Sequence, residues 1–254
     1  MFAALCFMYK EGEKYFMKGE NFIINKKNGI LLVCEGISGS GKSMTIDRLY
    51  NVVKKHDPHI KVIEWNSNKF IRNIVRTLDN HELLSPSIYS YLQWISFIID
   101  YLFKIKPSLN RNYIVIADRY AHTGLTRDNS NMVNNSFGKL IYKLVRKPDL
   151  LLYHDISAQV CLKRIKLRGK SLFYTNKEII SSSKLEDKDL CYLNLLEKEY
   201  KKLLSSSNKE SNIYYVSNDV QKSGQLVSEY IIEKKNCKQQ YFAENYKEGE
   251  RVGF

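Results

Sequence analysis

The chain has 254 residues, of which 44% are hydrophobic, so it is long enough to bury a substantial core as one domain. Its formal net charge of +13 favours polyanionic partners, which include nucleotides, nucleic acid and acidic membranes, but charge alone does not choose among them. The five cysteines lack the paired spacing of zinc or redox motifs and fit a reducing, cytoplasmic location, and no apolar stretch approaches the roughly 20 residues of a membrane-spanning helix, so no membrane partner is expected.

The sequence divides into three parts. Residues 1–28 carry aromatic and charged side chains without a steady period, and we interpret them as an N-terminal extension. We expect one α/β domain over residues 29–233 and a polar tail over residues 234–254. The lysines are scattered along the whole chain, which indicates a basic, soluble surface and makes nucleic acid an unfavoured partner.

The strongest signal is a phosphate-binding loop that follows the first predicted strand. The apolar run Ile30–Val33 predicts a buried strand, and Gly36–Ser43 then matches the glycine-lysine pattern of a P-loop in full. Glycines in such a loop let successive backbone N–H groups point at phosphate oxygens. The next segment, Ser43–Lys55, predicts a helix whose positive N-terminal end faces the same site.

The residue types of this loop predict how it binds a nucleoside triphosphate. Lys42 is expected to reach the outer phosphates, and the Ser43 hydroxyl is expected to bind the Mg²⁺ ion that bridges them. The other loop residues that we expect to contact the donor nucleotide are Gly36, Ser38, Gly39, Ser40, Gly41 and Met44.

Two later strands bring polar residues to the same edge of the predicted sheet. Glu64 and Asn66 follow the second strand, and ligands of open parallel sheets lie beyond the carboxyl ends of the strands. The third strand runs straight into Asp118 and Arg119. An acid at this point suits a magnesium shell, and an arginine beside it can bind phosphate through two hydrogen bonds.

The remaining pattern alternates strands and helices. A long helix is predicted over residues 83–105, with Ser85 as its N-cap and Pro86 at its first position. The other predicted strands are Ile60–Trp65, Tyr113–Ala117, Asp149–His154 and Ile213–Val216, and the other predicted helices are Ser157–Lys170, Leu190–Leu204 and Leu226–Ile232. Five strands alternating with helices predict an α/β three-layer sandwich around a five-stranded parallel sheet. The basic helix over residues 157–170 is interpreted as a lid that closes over a triphosphate.

Three stretches of the sequence resemble the thymidylate kinase family of P-loop nucleoside monophosphate kinases. They are Cys34–Ser43, Ala117–Tyr120, and Pro148–Tyr153 with the segment 161–169 that follows it. The resemblance implies transfer of the terminal phosphoryl group of ATP to a nucleotide, with Mg²⁺ as the cofactor. It also implies catalytic roles for Lys42, Asp118, Arg119, Arg164 and Arg168, and it implies Ser43 and Asp118 as the residues of the metal site.

The acceptor side departs from the pattern of that family. The helix positions that match the family's acceptor contacts fall at Gln93 and Phe97, and neither is a cation. Either Arg72, Arg76 or Arg127 therefore replaces the missing charge, or the acceptor is not dTMP; we expect dTMP to be a poor substrate. The predicted acceptor-binding residues are Glu64, Asn66, Gln93, Phe97, Arg127 and Asp128.

Three functions stay open at this point. The first is a nucleotide kinase like the thymidylate kinases. The second keeps the fold but phosphorylates a hydroxyl group, as deoxynucleoside kinases do, with Glu64 as the base. The third is a nucleotide-binding regulatory or nucleic-acid-binding module without catalysis. Four intact residues argue against it: Lys42, Ser43, Asp118 and Arg119. The chain is compatible with a homodimer, which the sequence does not decide.

Overall fold

The computed structural model describes residues 29–183, 185–207, 213–216 and 229. The predicted extension over residues 1–28 and the predicted tail over residues 234–254 lie outside the described residues, as does the predicted helix over residues 226–232 apart from Glu229. Within the described part, a five-stranded parallel sheet carries helices on both faces. This architecture confirms the predicted α/β sandwich.

The elements follow the predicted alternation. The strands are β1 (Ile30–Glu35), β2 (Ile60–Glu64), β3 (Ile114–Asp118), β4 (Leu150–His154) and β5 (Ile213–Val216). The helices are α1 (Lys42–His56), α2 (Lys69–Asn80), α3 (Pro86–Asp100), α4 (Lys106–Asn110), α5 (Ala121–Ser130), α6 (Ser136–Leu144), α7 (Ala158–Leu167), α8 (Lys177–Ser181) and α9 (Lys188–Ser207). Among the described residues, no helix is both long enough and apolar enough to cross a membrane.

The order of the strands places the phosphate loop at the centre of the sheet. The order is β2-β3-β1-β4-β5, and all neighbouring pairs are parallel. The chain moves from β1 to one side of the sheet and later crosses to the other side, so a crevice opens beyond the carboxyl end of β1. Cys34 of β1 lies opposite Asp118 of β3, which brings the acid to the start of that crevice.

The two faces of β1 pack into separate hydrophobic layers. Leu31 and Val33 join the layer formed with α3, α5 and α9, whereas Leu32 and Cys34 join the layer formed with α1. None of the four side chains is exposed to solvent. Burial on both faces explains why β1 is continuously apolar instead of alternating.

The long helix predicted over residues 83–105 is shorter and interrupted. It begins at Pro86, and Ser85 caps it as predicted, since the Ser85 Oγ accepts a hydrogen bond of 3.2 Å from the Ile88 N–H. After α3 ends, residues 101–105 form one π-helical turn in which the Lys106 N–H donates to the Tyr101 carbonyl. Pro107 lacks an N–H and its ring would clash with a carbonyl four residues earlier, so a regular helix cannot continue through it.

Several helices were not predicted from the sequence. The helix α2 has a clear signal, because Asn68 caps it and its apolar residues recur at helical spacing. The helix α5 has no such signal: it is buried nearly all round, yet many of its residues are polar. Its side chains pack between α3, α6 and α9 instead of facing solvent on one side.

Candidate active site

The phosphate loop joins β1 to α1 by a tight turn in which a side chain in place of glycine would clash with neighbouring backbone atoms. Gly36 and Gly39 both have positive φ, at 138° and 83°. A Cβ at Gly39 would lie only 2.5 Å from the Cys161 carbonyl oxygen of α7, and one at Gly36 would lie 3.0 Å from the His154 carbonyl oxygen. Gly41 precedes α1, and no side chain caps that helix, so its first N–H groups face the loop.

Lys42 lies across the loop and is almost fully buried. Its Nζ donates to the Gly36 carbonyl at 2.9 Å, to the Ile37 carbonyl at 2.8 Å and to the Ser40 hydroxyl at 3.2 Å. Burial, assisted by the charge of Arg119, lowers the pKa of Lys42 to about 7. The lysine is thus held where phosphates would meet the loop, with its charge in a water-poor environment.

Asp118 and Ser43 together suit a magnesium ion. Asp118 ends β3, and its Oδ1 is buried without a hydrogen-bond partner among the described residues. Buried polar atoms are almost always hydrogen-bonded, so this oxygen is oriented for a ligand. Ser43 is the second residue of α1, and its side chain is exposed. Carboxylate and hydroxyl oxygens with water and phosphate oxygens are the ligands that Mg²⁺ prefers.

Arg119 adopts a strained backbone and contacts the loop. Its φ of 75° lies in the left-handed region, which is costly for a non-glycine residue and concentrates at functional sites. Its Nη1 donates to the Gly36 carbonyl at 2.8 Å, and its Nη2 lies 3.5 Å from the Ser38 hydroxyl. The hydrogen bond to the Gly36 carbonyl holds the guanidinium beside the loop.

Glu35 is a buried residue of this site that was not predicted. It precedes Gly36, and its carboxylate accepts hydrogen bonds from the Tyr120 N–H at 2.8 Å, the Thr123 hydroxyl at 2.6 Å and the Tyr200 hydroxyl at 2.8 Å. Burial raises the pKa of the Glu35 carboxyl, while these donors and Arg119 act in the opposite direction. The carboxylate fixes the segment that holds Arg119. An acid at the end of an apolar strand was the available signal.

The basic lid helix lies against the loop from the other side. The Arg164 Nη1 is 3.4 Å from the Gly39 carbonyl oxygen, whereas Arg168 is exposed just beyond the end of α7. The segment after the helix returns to α5, where the Asn176 amide donates to the Ser130 carbonyl at 2.6 Å. The structure thus brings Arg164 to the loop and leaves Arg168 at the rim. Met44 is more than half exposed at the start of α1.

Some of the residues predicted for the acceptor meet between β2 and α3. The Asn66 and Gln93 amides contact each other, and Gln93 Oε1 accepts from Trp65 Nε1 at 3.2 Å. Arg127 of α5 lies 3.4 Å from the same oxygen. Glu64 lies apart from this group, because its carboxylate is largely exposed and faces Arg72 at 3.8 Å.

Phe97 and Asp128 lie in the interior of the protein. Phe97 is 2% exposed and stacks on Trp65 with ring centroids 4.9 Å apart. Asp128 is also buried, and its two oxygens accept from the Ser90 hydroxyl at 2.6 Å and from the Trp94 indole N–H at 2.8 Å. Both side chains are buried and contact neighbouring residues, which argues against their contact with the acceptor.

A glycine-rich loop at the switch point of a parallel sheet, with an acid and an arginine at the end of the neighbouring strand, characterises the P-loop phosphotransferases. A family model described as thymidylate kinase matches residues 34–221. The chain belongs to the thymidylate kinase family. Membership confirms the predicted family and the predicted type of reaction, phosphoryl transfer to a nucleotide.

Individual relatives and a solved structure agree with this membership. The probable thymidylate kinase 2 of Saccharolobus solfataricus is 27% identical over 186 residues, which cover 72% of this chain and 85% of that protein. The probable thymidylate kinase of Pyrobaculum aerophilum is 30% identical over 139 residues, covering 53% and 69%. The crystal structure of thymidylate kinase from Ehrlichia chaffeensis shares the fold with a TM-score of 0.57 at 16% identity, covering 78% of this chain and 98% of that one.

Proposed function

We propose that this enzyme transfers the terminal phosphoryl group of ATP to a nucleoside monophosphate, in a reaction that requires Mg²⁺. The observation that carries the proposal is the convergence of Lys42, Arg119 and the unpartnered Asp118 oxygen on the loop after β1. Two cations and a metal-binding oxygen at one phosphate loop suit a transferring phosphoryl group better than a merely bound nucleotide. The buried free cysteines Cys34 and Cys161 support a cytoplasmic location.

The residues present fit the metal that the family implies. Asp118 and Ser43 would hold Mg²⁺, Asp118 through its buried oxygen and Ser43 through its exposed hydroxyl. When bound, the ion neutralises charge on the phosphate oxygens and fixes their orientation. Glu35 and the strained backbone of Arg119 form the framework that keeps Asp118 and Arg119 beside the loop.

The protein contributes positioning and charge to the transfer. Backbone N–H groups of the loop and the start of α1 bind the phosphates, and Lys42 leaves its carbonyl partners to bind the outer phosphate oxygens. An oxygen of the acceptor forms a bond to the terminal phosphorus while the bond from that phosphorus to the bridging oxygen breaks, releasing ADP. Arg119 and Arg164, which border the loop, compensate the charge on the transferring group.

An acceptor screen tests this proposal. ADP release is followed with ATP and Mg²⁺ against the common nucleoside monophosphates and the matching nucleosides. We expect turnover with at least one monophosphate, dependent on Mg²⁺, and little with the nucleosides. Turnover with nucleosides alone would favour a hydroxyl kinase that uses Glu64, although the exposed position of Glu64 does not support that function. ADP release with none of them would contradict the proposal.

A further inference from the structure

Arg127 has no close ion-pair partner among the described residues, although the more distant Glu35 acts on its charge. It lies in the last turn of α5 and is partly buried. Its Nη1 is 3.3 Å from the Tyr89 hydroxyl and 3.4 Å from Gln93 Oε1. Among the described residues it forms no ion pair within 4.0 Å of a carboxylate. A shielded charge without a partner is costly, so a guanidinium in this state favours an anionic ligand.

The other arginines considered for the acceptor have different surroundings. Arg72 donates its Nε to the Asn66 carbonyl at 2.9 Å and lies opposite Glu64, with half of its side chain exposed. Arg76 is exposed on α2. Arg119 is engaged with the phosphate loop. Of these four arginines, Arg127 alone combines partial burial with freedom from both an acid and the loop.

The position of Arg127 links the donor and acceptor sides. Gln93 Oε1 accepts hydrogen bonds from the Arg127 Nη1 and from the indole N–H of Trp65. Trp65 directly follows β2. Arg127 also interacts electrostatically with Tyr200, whose hydroxyl oxygen lies 3.5 Å from the Arg119 Nη1. The two guanidinium groups therefore border one region at the carboxyl edge of the sheet.

Arg127 stands apart from the groups assigned to the donor nucleotide, because its hydrogen-bond partners are Tyr89 and Gln93 and not the loop. A magnesium-bound triphosphate at the loop would occupy Lys42, Arg119 and Asp118 in the proposed donor site. Arg127 then remains for a second anion. The region is also shielded on the lid side, because the Phe173 ring packs edge-on against Tyr89 at 5.2 Å.

We infer that Arg127 binds the anionic group of the phosphoryl acceptor and thereby selects a nucleoside monophosphate over the corresponding nucleoside. The inference rests on the proposed function, because it assigns the acceptor half of the same site. A phosphate dianion and a guanidinium form paired, charge-assisted hydrogen bonds. The partly buried Gln93 amide beside Arg127 would hydrogen-bond the rest of the acceptor.

The test compares binding of monophosphates and nucleosides to Arg127 variants. Isothermal titration calorimetry measures dTMP, dCMP, dAMP and dGMP and the four matching nucleosides, with the ATP analogue AMP-PNP and Mg²⁺ present. Wild-type protein is expected to prefer at least one monophosphate over its nucleoside by about 10- to 100-fold. Arg127→Gln is expected to abolish that preference, and Arg127→Lys, which keeps the charge, to retain part of it. Arg111→Gln, on the exposed end of the α4 segment, is the matched control and should change nothing.

Two outcomes would overturn the inference. One is a wild-type protein that binds no monophosphate more tightly than its nucleoside. The other is an Arg127→Gln variant that keeps the preference, or changes only the ranking of the bases, while thermal melting shows it folded. AMP-PNP binding is measured separately on each variant. If the wild-type protein does not bind AMP-PNP, the proposed donor site is contradicted. In that case a preference for monophosphates that depends on Arg127 would still support this inference.

Discussion

At the scale of single residues, the proposed donor site consists of charged side chains that are largely shielded from solvent. Lys42 donates to two loop carbonyls, and Arg119 donates to one of the same carbonyls. Each cation is thereby kept close to the other, although like charges repel. The nearby acids Glu35 and Asp118 offset part of this repulsion. The arrangement is prepared for additional negative charge, which a triphosphate would supply.

The pKa of Lys42 leads to a prediction about proton uptake. Because burial and Arg119 lower the pKa of Lys42 to about 7, the free protein holds this lysine mostly neutral at pH 8. A bound triphosphate favours the ammonium form, so binding of AMP-PNP with Mg²⁺ at pH 8 should take up about one proton. The affinity should accordingly fall as the pH rises above 7. Calorimetry in buffers of different ionisation enthalpy measures the uptake.

Lys42→Arg is the control for this proton. Its guanidinium stays charged at pH 8, so the variant should bind the analogue without the uptake. Equal proton uptake by both proteins would assign the proton to another group.

The sequence predicts which residues border the phosphate loop, but it does not predict their environment. The spacing of the loop located Lys42 and Ser43, because the motif is local. Glu35 was missed because its partners Thr123 and Tyr200 come from α5 and α9, which are distant in sequence. The interior position of Phe97 likewise depends on Trp65, which a helical pattern alone does not reveal.

At the scale of elements, the segment 158–176, which includes the predicted lid helix α7, is held to the rest of the protein at two points. Arg164 contacts the phosphate loop, and Thr175 and Asn176 hydrogen-bond to the end of α5. Between them, Arg168, Gly169 and Lys170 are exposed. Such a segment can tighten over a ligand while its ends stay in place.

Limited proteolysis tests this behaviour of the lid. AMP-PNP with Mg²⁺ should slow tryptic cleavage between Arg164 and Lys188, because new contacts to the triphosphate order the exposed arginines and lysines. DNA or RNA should give no protection. Protection by nucleic acid but not by the analogue would instead favour a nucleic-acid-binding module. Cleavage at the exposed Arg111, in the turn after α4, serves as the internal control.

The packing of α5 depends on one indole ring. Trp94 lies between Gly124 of α5 and Gly138 of α6, and a Cβ at either glycine would approach the ring to 2.5 Å. Asp128 fixes the ring through its indole N–H. Glycine is therefore required at both positions by close approach, although each is an unfavourable residue within a helix.

Gly124→Ala should destabilise the protein by about 1–3 kcal/mol, because the added methyl overpacks the core. Chemical denaturation measures this loss in free energy of unfolding. In a Trp94→Phe background the smaller ring should relieve the clash, so the same substitution should cost less there. Gln159→Ala, exposed on α7, is the control. An equal cost in both backgrounds would show that the indole does not set the packing of α5.

The elements differ in how far the sequence predicts them. The central strands β1, β3 and β4 were predicted well because burial on both faces makes their apolar runs continuous. The helix α5 was missed because it is buried and polar, so that no apolar stripe marks it. The interruption after α3 follows from Pro107, which was present in the sequence but is tolerated here through a π-helical turn.

At the scale of the whole molecule, the strand order explains why distant residues meet. The residues proposed to bind the donor follow β1 and β3, and Trp65 and Asn66 follow β2, so all lie at the carboxyl ends of the strands. The net charge of +13 favours association of the chain with polyanions, which include nucleotides. The prediction that dTMP is a poor substrate stays a prediction, which steady-state comparison of the specificity constants of common nucleotides would decide.

The most direct test of the donor site is phosphoryl transfer by Lys42→Ala. The variant should keep its circular dichroism spectrum and cooperative melting, while kcat with ATP, Mg²⁺ and the best monophosphate falls by about 10²- to 10³-fold. The reason is that the substitution removes a charge needed by the transferring group from a loop that glycines and Arg119 still hold in shape. A folded Lys42→Ala variant with near wild-type kcat would contradict the assignment of this loop as the catalytic donor site.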